Sequence, residues 1–319
     1  MLNNSGKMIS VVMSVYNGQE YIAEAIESIL NQTYKNFEFV IIDDGSSDST
    51  LEIIKKYRVN DSRIKVVSRD NKGLVYSLNE GFSLAKGEYV ARMDADDVSC
   101  LNRLEEQVSM LERSEADVCG CHFYIMDRNG RYLDAIVTSS DEKLQGLMLT
   151  RSVPFAHGSV MIRKEFLDNY SLDYSSDLFN KAEDYYLWVR LYLKSAKFVN
   201  VDKFLFYYRD IDQSLSKVNR RLNLNHAKEI SNFFVKNAFT SIEREVDSLI
   251  SSGRRLNTFE KEQMSFYLFR CCFRRSFKKN RLMLRMVSVF YVIPGLLRAL
   301  SYTWYGMLKP LRVICRGFF

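Results

Sequence analysis

Residues 9–50 read ISVVMSVYNGQEYIAEAIESILNQTYKNFEFVIIDDGSSDST, and their hydrophobic rhythm decides the fold class. Ile9–Val15 is a continuous apolar run rich in β-branched residues, the pattern of a strand buried on both faces. A turn at Asn17-Gly18 follows, then the amphipathic stretch Tyr21–Leu30, then a second apolar run at Phe37–Ile42. The segment therefore predicts strand, helix, strand. The unit recurs as Phe37–Ile42 with Thr50–Tyr57, Ile64–Val67 with Val75–Ala85, and Tyr89–Met93 with Leu101–Arg113. Such repetition predicts an α/β fold, a doubly wound and mostly parallel sheet with helices on both faces. Ligands of these sheets bind beyond the carboxyl ends of the strands, so the residues that follow each apolar run are the first candidates for chemistry.

Further along, the rhythm changes. Val118–Met126, Ser159–Arg163 and Phe204–Arg209 predict strands separated by longer irregular connections, and Glu183–Lys194 predicts a helix. After about Lys217 the chain reads as long helices, Arg220–Leu249 and Thr258–Lys278, joined by the polar turn Ser251-Ser252-Gly253. The expected division is one α/β domain over residues 1–218 and a helical, basic region over 219–319.

A net charge of +6 over 319 residues conceals an asymmetry. The segment from Arg254 onward holds 14 Lys/Arg and two acids, Glu260 and Glu262, leaving 31 basic and 37 acidic residues before it. The body thus carries −6 and the tail +12. Within that tail Met286–Leu297, MVSVFYVIPGLL, is uncharged but interrupted by Pro294-Gly295, and falls short of the roughly 20 apolar residues a membrane span needs. Its flanks mix arginines with Phe, Trp and Leu, the profile of interfacial helices on an anionic membrane surface. A soluble helical appendage packed on the first domain is the plainer alternative. Nucleic acid is disfavoured as a partner, because no binding module accompanies the basic residues. The six cysteines have no disulfide-framework spacing, and a strand is expected almost at once after MLNNSGK, so a reducing, cytoplasmic setting is expected. Cys119 and Cys121 alternate along an apolar run and are expected as small core residues.

Three acidic clusters carry the chemistry. Asp43-Asp44-Gly45-Ser46-Ser47-Asp48 directly follows the second apolar run. The serines and Asp48 suit a turn and a helix cap, which leaves two adjacent acids at a strand end unexplained. In RMDADDVS, residues 92–99, Asp94, Asp96 and Asp97 crowd three like charges behind the fourth run. Such crowding is tolerable mainly where a cation neutralises it, and carboxylates two residues apart can bring oxygens to one divalent ion while leaving room for water and diphosphate. No Walker A loop is present, and Asn71-Lys72-Gly73 is too short to serve as one, so metal and side chains would have to neutralise phosphates. The third cluster, Glu183-Asp184, opens the helix EDYYLWVRLYL. First-turn acids complement the helix dipole, but a free carboxylate beside a metal–diphosphate site also suits a general base acting on a hydroxyl.

Taken together, these residues resemble glycosyltransferase family 2, inverting enzymes of the GT-A fold. The resemblance spans about Ile9 to Ser216 and rests on motifs in order: residues 10–50, then NKGLVYSLNEGF at 71–82, GEYVARMDADD at 87–97, AHGSVMIRKE at 156–165 and the Glu183-Asp184 pair. It implies Tyr16 as the residue packing on the nucleotide base and Asp44 as the acid recognising a uracil edge. It implies Asp94 and Asp96 as the DxD motif, with Asp96 the direct ligand of Mn²⁺ or Mg²⁺, Asp94 nearer the ribose or metal waters, and Asp97 in a supporting place. Arg92 and Arg103 flank that motif and would orient phosphates or the acids themselves, while Asp184 is implied as the catalytic base. The chain departs from the family at Cys100-Leu101, where members often carry His-Pro, and at Asp210-Ile211-Asp212, where many carry a His. His157 lies inside a family-like motif and is expected as a satisfied structural histidine.

The function so implied is metal-dependent, inverting transfer of a hexose or N-acetylhexosamine from a nucleotide sugar, with UDP expected. The acceptor expected is a lipid-linked saccharide in capsule, O-antigen or exopolysaccharide assembly, handled on the inner face of a bacterial plasma membrane. The competing readings are a sugar nucleotidyltransferase, which would want a glycine- and lysine-rich loop after the first strand, and a non-catalytic membrane-associated scaffold, against which the intact acids argue.

Overall fold

The computed structural model describes residues 6–139, 144–151, 153–174, 182–211 and 220–251. The expected helix Thr258–Lys278, the uncharged stretch 286–297 and their basic flanks lie outside the described residues.

The first half alternates strand and helix as the pattern demands: β1 (Ile9–Val15), α1 (Ile22–Leu30), β2 (Phe37–Asp43), α2 (Thr50–Asn60), β3 (Ile64–Ser68), α3 (Leu74–Leu84), β4 (Tyr89–Asp94), the two-residue β5 (Val98–Ser99) and α4 (Arg103–Ser114). The second half holds β6 (Val118–Met126), β7 (Tyr132–Ile136), α5 (Gln145–Leu149), a 3-10 turn at His157–Ser159, β8 (Met161–Arg163), α6 (Lys164–Asn169), α7 (Glu183–Leu193), β9 (Phe198–Arg209) and α8 (Arg220–Ser251).

All nine strands join one sheet in the order β3-β2-β1-β4-β8-β6-β9-β5, with β7 added on β6. The ladders among β3, β2, β1 and β4 are parallel, whereas β8 runs antiparallel to both β4 and β6. Alternate strand residues serve opposite faces, which is why the apolar runs are continuous. Val11, Met13, Phe39 and Ile41 belong to a core with α1, α2 and α4, while Val12, Val40 and Ile42 belong to a second core with α3, α5, α7 and α8. In α1 the core side chains are Ile22, Ala25, Ile26 and Ile29, one stripe of a 3.6-residue helix. Cys119 and Cys121 are buried, free and part of the first of these cores.

Helix α8, beyond the expected division at residue 218, lays Ile230, Phe234, Ala238, Ile242 and Val246 into the second core. Glu245 fastens it by accepting the Tyr192 hydroxyl at 2.5 Å and the Leu147 N–H at 3.1 Å. Among the described residues no helix is long and apolar enough to cross a membrane.

Candidate active site

Strand register sets the site. Ser14 pairs with Asp94, Val15 with Asp43, and Asp43 with Ser68, so β1 to β4 finish level and the residues after them share one edge. The chain order reverses between β1 and β4, the switch point where a crevice opens in such sheets.

On the β1–β2 side, Tyr16 follows β1 and is 55% exposed, an uncovered ring at the mouth of the crevice. Asp44 is buried and accepts N–H bonds from Lys72 at 2.8 Å and Gly73 at 2.9 Å, with the Arg69 guanidinium as its ion-pair partner. Arg69 also donates to Glu80 at 3.0 Å and Ser77 at 2.9 Å and lies 4.8 Å from the Tyr76 ring centroid, while the Lys72 ammonium sits 4.5 Å from the same ring. Asp44 thereby organises the 69–73 loop. Gly45 takes φ +78°, and a Cβ there would stand 2.7 Å from the Asn71 nitrogen, so this close approach requires glycine. The expected capping by the serines and Asp48 is realised only in part: Asp48 accepts from the Thr50 N–H at 3.0 Å, but also from the Gln19 N–H at 3.1 Å, and the Ser46 hydroxyl accepts from the Asn17 N–H at 2.9 Å. The β2–α2 turn is stitched to the turn after β1.

At the end of β4 the three acids separate into different environments. Arg92, buried within the sheet, donates to Asp94 Oδ1 at 2.5 Å. Asp96 is largely withdrawn from water, and that burial together with the Asp94 charge pushes its carboxyl up to about 6. Asp97 is fully buried; it accepts the Arg209 N–H at 2.8 Å through Oδ1, and burial followed by the charges of Asp96 and Asp94 holds its carboxyl well above the usual carboxylate range. Arg103 stands beneath them, donating to the Gly158 and Arg92 carbonyls at 2.9 and 3.0 Å, and burial lowers it to about 10. It is a tie under the floor and reaches no open position. Gly158 is pressed so close that a Cβ would fall 2.6 Å from Asp94 Oδ2 and 3.1 Å from Asp97 Oδ2.

The donor set can be tested against a divalent ion. Among the described residues no group of three or more His, Cys, Asp or Glu side chains is placed to hold a metal ion. Asp94 and Asp96 nevertheless offer carboxylates whose mutual repulsion a cation relieves, in the open, oxygen-only style of a metal that completes its shell with water and phosphate. The residues fit such an ion.

A second acidic cluster stands in the first turn of α7. Asp184 accepts the Tyr185 N–H at 2.7 Å, and Glu183 is pushed up to about 7 by burial and then by the Asp184 charge. His157 hydrogen-bonds the Tyr174 hydroxyl through Nε2 at 2.7 Å and packs edge-on against Tyr174 and Trp188, a satisfied structural histidine as expected; burial and the Arg92 charge lower its pKa. Asp94, Arg92 and Asp184 all act electrostatically on His157 and Tyr174, so the fold brings the α7 acids into the same charged surroundings as the β4 acids.

Glu183 has a measurable signature. Its folded-state pKa is raised, so its neutral form is favoured in the native protein, and the associated stability is present below about pH 4.5 and lost as pH rises through about 7. Glu183→Gln is therefore expected to raise stability at pH 8 by up to ~3 kcal/mol and to leave it nearly unchanged at pH 4. Thermal melts at the two pH values check this; equal shifts at both would refute the assignment.

Residues the sequence reading did not single out include Arg69, Tyr174 and Arg209. Arg209 ends β9 and donates Nε to the Asp96 carbonyl at 2.7 Å and Nη2 to Glu24 at 2.6 Å. Its sequence signals were its place at the end of an apolar run and in the family-like segment Tyr207-Tyr208-Arg209, to which no role had been given.

A doubly wound sheet with acids at its switch point and a second acidic cluster in the same charged surroundings is the architecture of a GT-A glycosyltransferase. Staphylococcus aureus TarS, residues 1–349, solved with UDP-GlcNAc, shares this fold with a TM-score of 0.56 at 23% identity over 82% of this chain and 79% of that one. The Pyrobaculum calidifontis mannosyltransferase PcManGT, solved with GDP-Man and Mn²⁺, gives 0.55 at 13% identity over 92% and 86%. Residues 10–171 match the profile described as Glycosyl transferase family 2, and the chain belongs to that family. EpsE of Bacillus subtilis (strain 168), named for glycosyl transfer, is 38% identical over 65% of this chain and 74% of its own. The Escherichia coli UDP-Glc:alpha-D-GlcNAc-diphosphoundecaprenol beta-1,3-glucosyltransferase WfaP is 30% identical over 64% and 77%. The protein is thus a glycosyltransferase enzyme with relatives in polysaccharide biosynthesis.

Proposed function

We propose that this enzyme transfers a hexose or N-acetylhexosamine from a UDP-sugar to a hydroxyl of a lipid-linked saccharide, inverting the anomeric configuration, in the assembly of a capsule, O-antigen or exopolysaccharide. The observation that carries the reading is that acids of two elements share one neighbourhood: Asp94 at the β4 end and Asp184 in the first turn of α7 both act on His157 and Tyr174. WfaP, whose name specifies a UDP-sugar donor and a diphosphoundecaprenol acceptor, and TarS, solved with UDP-GlcNAc, support the choice of donor and acceptor class.

Tyr16 lies along the base, and Asp44, through the 69–73 loop it holds, shapes the pocket for the uracil edge. Asp96, with Asp94 set by Arg92, would hold Mn²⁺ or Mg²⁺. When bound, that ion neutralises the charge that gathers on the departing nucleoside diphosphate. Asp184 takes the proton from the acceptor hydroxyl as the oxygen attacks C1 from the face opposite the diphosphate, so an α-linked donor gives a β-linked product. Glu183 beside it is pushed up to about 7 by burial and then by the Asp184 charge, so it carries a proton for part of the time near neutral pH. The body of the enzyme, residues 1–218 by the expected division, works on the cytoplasmic side of the membrane, where the +12 segment from Arg254 onward rests on anionic lipid.

The test is a panel of nucleotide sugars with Mn²⁺ and extracted polyprenyl-linked lipids, read as release of nucleoside diphosphate. One UDP-sugar is expected to be consumed, with release abolished by EDTA. Every donor remaining intact would overturn the reading and favour a scaffold.

A further inference from the structure

We infer that Arg209 is a positioning residue for the donor site: its buried guanidinium and its own peptide N–H bracket the Asp96-Asp97 turn and fix how Asp96 is presented. The inference rests on the reading of Asp96 as a metal ligand proposed above.

The bracket is reciprocal. Arg209 Nε donates to the main-chain carbonyl of Asp96 at 2.7 Å, and the Arg209 N–H donates to the Asp97 carboxylate at 2.8 Å, across 113 and 112 residues of sequence. Two bonds of this kind fix both the translation and the rotation of the turn relative to β9. The rest of the fork is committed elsewhere. Nη2 pairs with Glu24 on α1 at 2.6 Å, Nη1 reaches the Asp127 and Arg128 carbonyls at 3.4 and 3.3 Å, and the guanidinium carbon stands 4.5 Å from the Tyr21 ring centroid.

Only arginine can do this, because its planar head offers donors in three fixed directions at once, whereas an ammonium is a compact point donor. A charge 2% exposed is costly to bury, and it is met here by one partly exposed carboxylate, Glu24, together with the acids of the turn. Arg209 thus fixes where the Asp96 peptide, and with it the Asp96 side chain, is placed. Its bonds end on the peptide of the residue that would face the ion, which distinguishes it from a general core contact.

The experiment uses the full chain and two variants, Arg209→Lys and Glu24→Gln. Glu24 lies on α1, holds the far end of the fork and is exposed, so Glu24→Gln is expected to fold and keeps the test valid if Arg209→Lys does not. Calorimetric titration of UDP at increasing Mn²⁺ gives the metal concentration for half-maximal UDP binding, alongside melting curves. The expected result is a rise of about tenfold or more for Arg209→Lys and a smaller rise in the same direction for Glu24→Gln, the size of effect supporting residues have on metal affinity. Lowered melting temperatures with the wild-type Mn²⁺ dependence would mean that Arg209 is merely structural, and would overturn the inference while leaving the metal reading intact. UDP binding by the wild type that ignores Mn²⁺ would instead refute the metal reading, and this inference with it.

Discussion

Asp184→Asn is expected to leave UDP binding within about twofold of the wild type and to lower transfer by roughly 10²–10⁴, the range of a lost general base. The amide keeps the size of the side chain and the oxygen that accepts the Tyr185 N–H at 2.7 Å, so the first turn of α7 is retained. What disappears is the capacity to take a proton. The loss should therefore fall on kcat at saturating donor, with calorimetric UDP affinity unchanged. Turnover like that of the wild type would eliminate Asp184 from the proposed role, and Glu183, whose carboxyl stands at about 7, would become the next candidate.

The second large effect is expected at Asp96. Asp96→Asn should lower transfer by roughly 10²–10³, as removal of electrostatic support for a developing negative charge does elsewhere. It should also remove the Mn²⁺ dependence of UDP binding. The same variant should be more thermally stable than the wild type near pH 7.5 in EDTA, because a carboxyl held at about 6 by burial and by Asp94 opposes folding once it ionises. Loss of activity joined to a gain in stability is the mark of a strained functional group. Loss of both would mean that Asp96 supports the fold instead.

How much was legible beforehand varied with the physical origin of each feature. Runs buried on both faces declare themselves, and β1, β6 and α7 fall almost where Ile9–Val15, Val118–Met126 and Glu183–Lys194 placed them. Short or exposed elements do not. Val98–Ser99 is too brief for any periodicity, Tyr132–Ile136 lies largely exposed against β6, and the start of β9 is hidden by the exposed Asp202-Lys203 pair within Phe198–Arg209. The acids at strand ends were visible because charge behind an apolar run is locally anomalous. Their division of labour was not, since the burial of Asp97, the Arg92 contact to Asp94 and the reach of Arg209 to Asp96 all depend on segments remote in sequence. The basic tail beyond residue 252 remains the part of the proposal carried by composition alone.

The central claim is direct displacement at C1 with Asp96 on the diphosphate side and Asp184 on the acceptor side. It is tested most directly by the anomeric configuration of the product, read by proton NMR after transfer from an α-linked UDP-sugar. A β-linked product is predicted, and an α-linked product would contradict it.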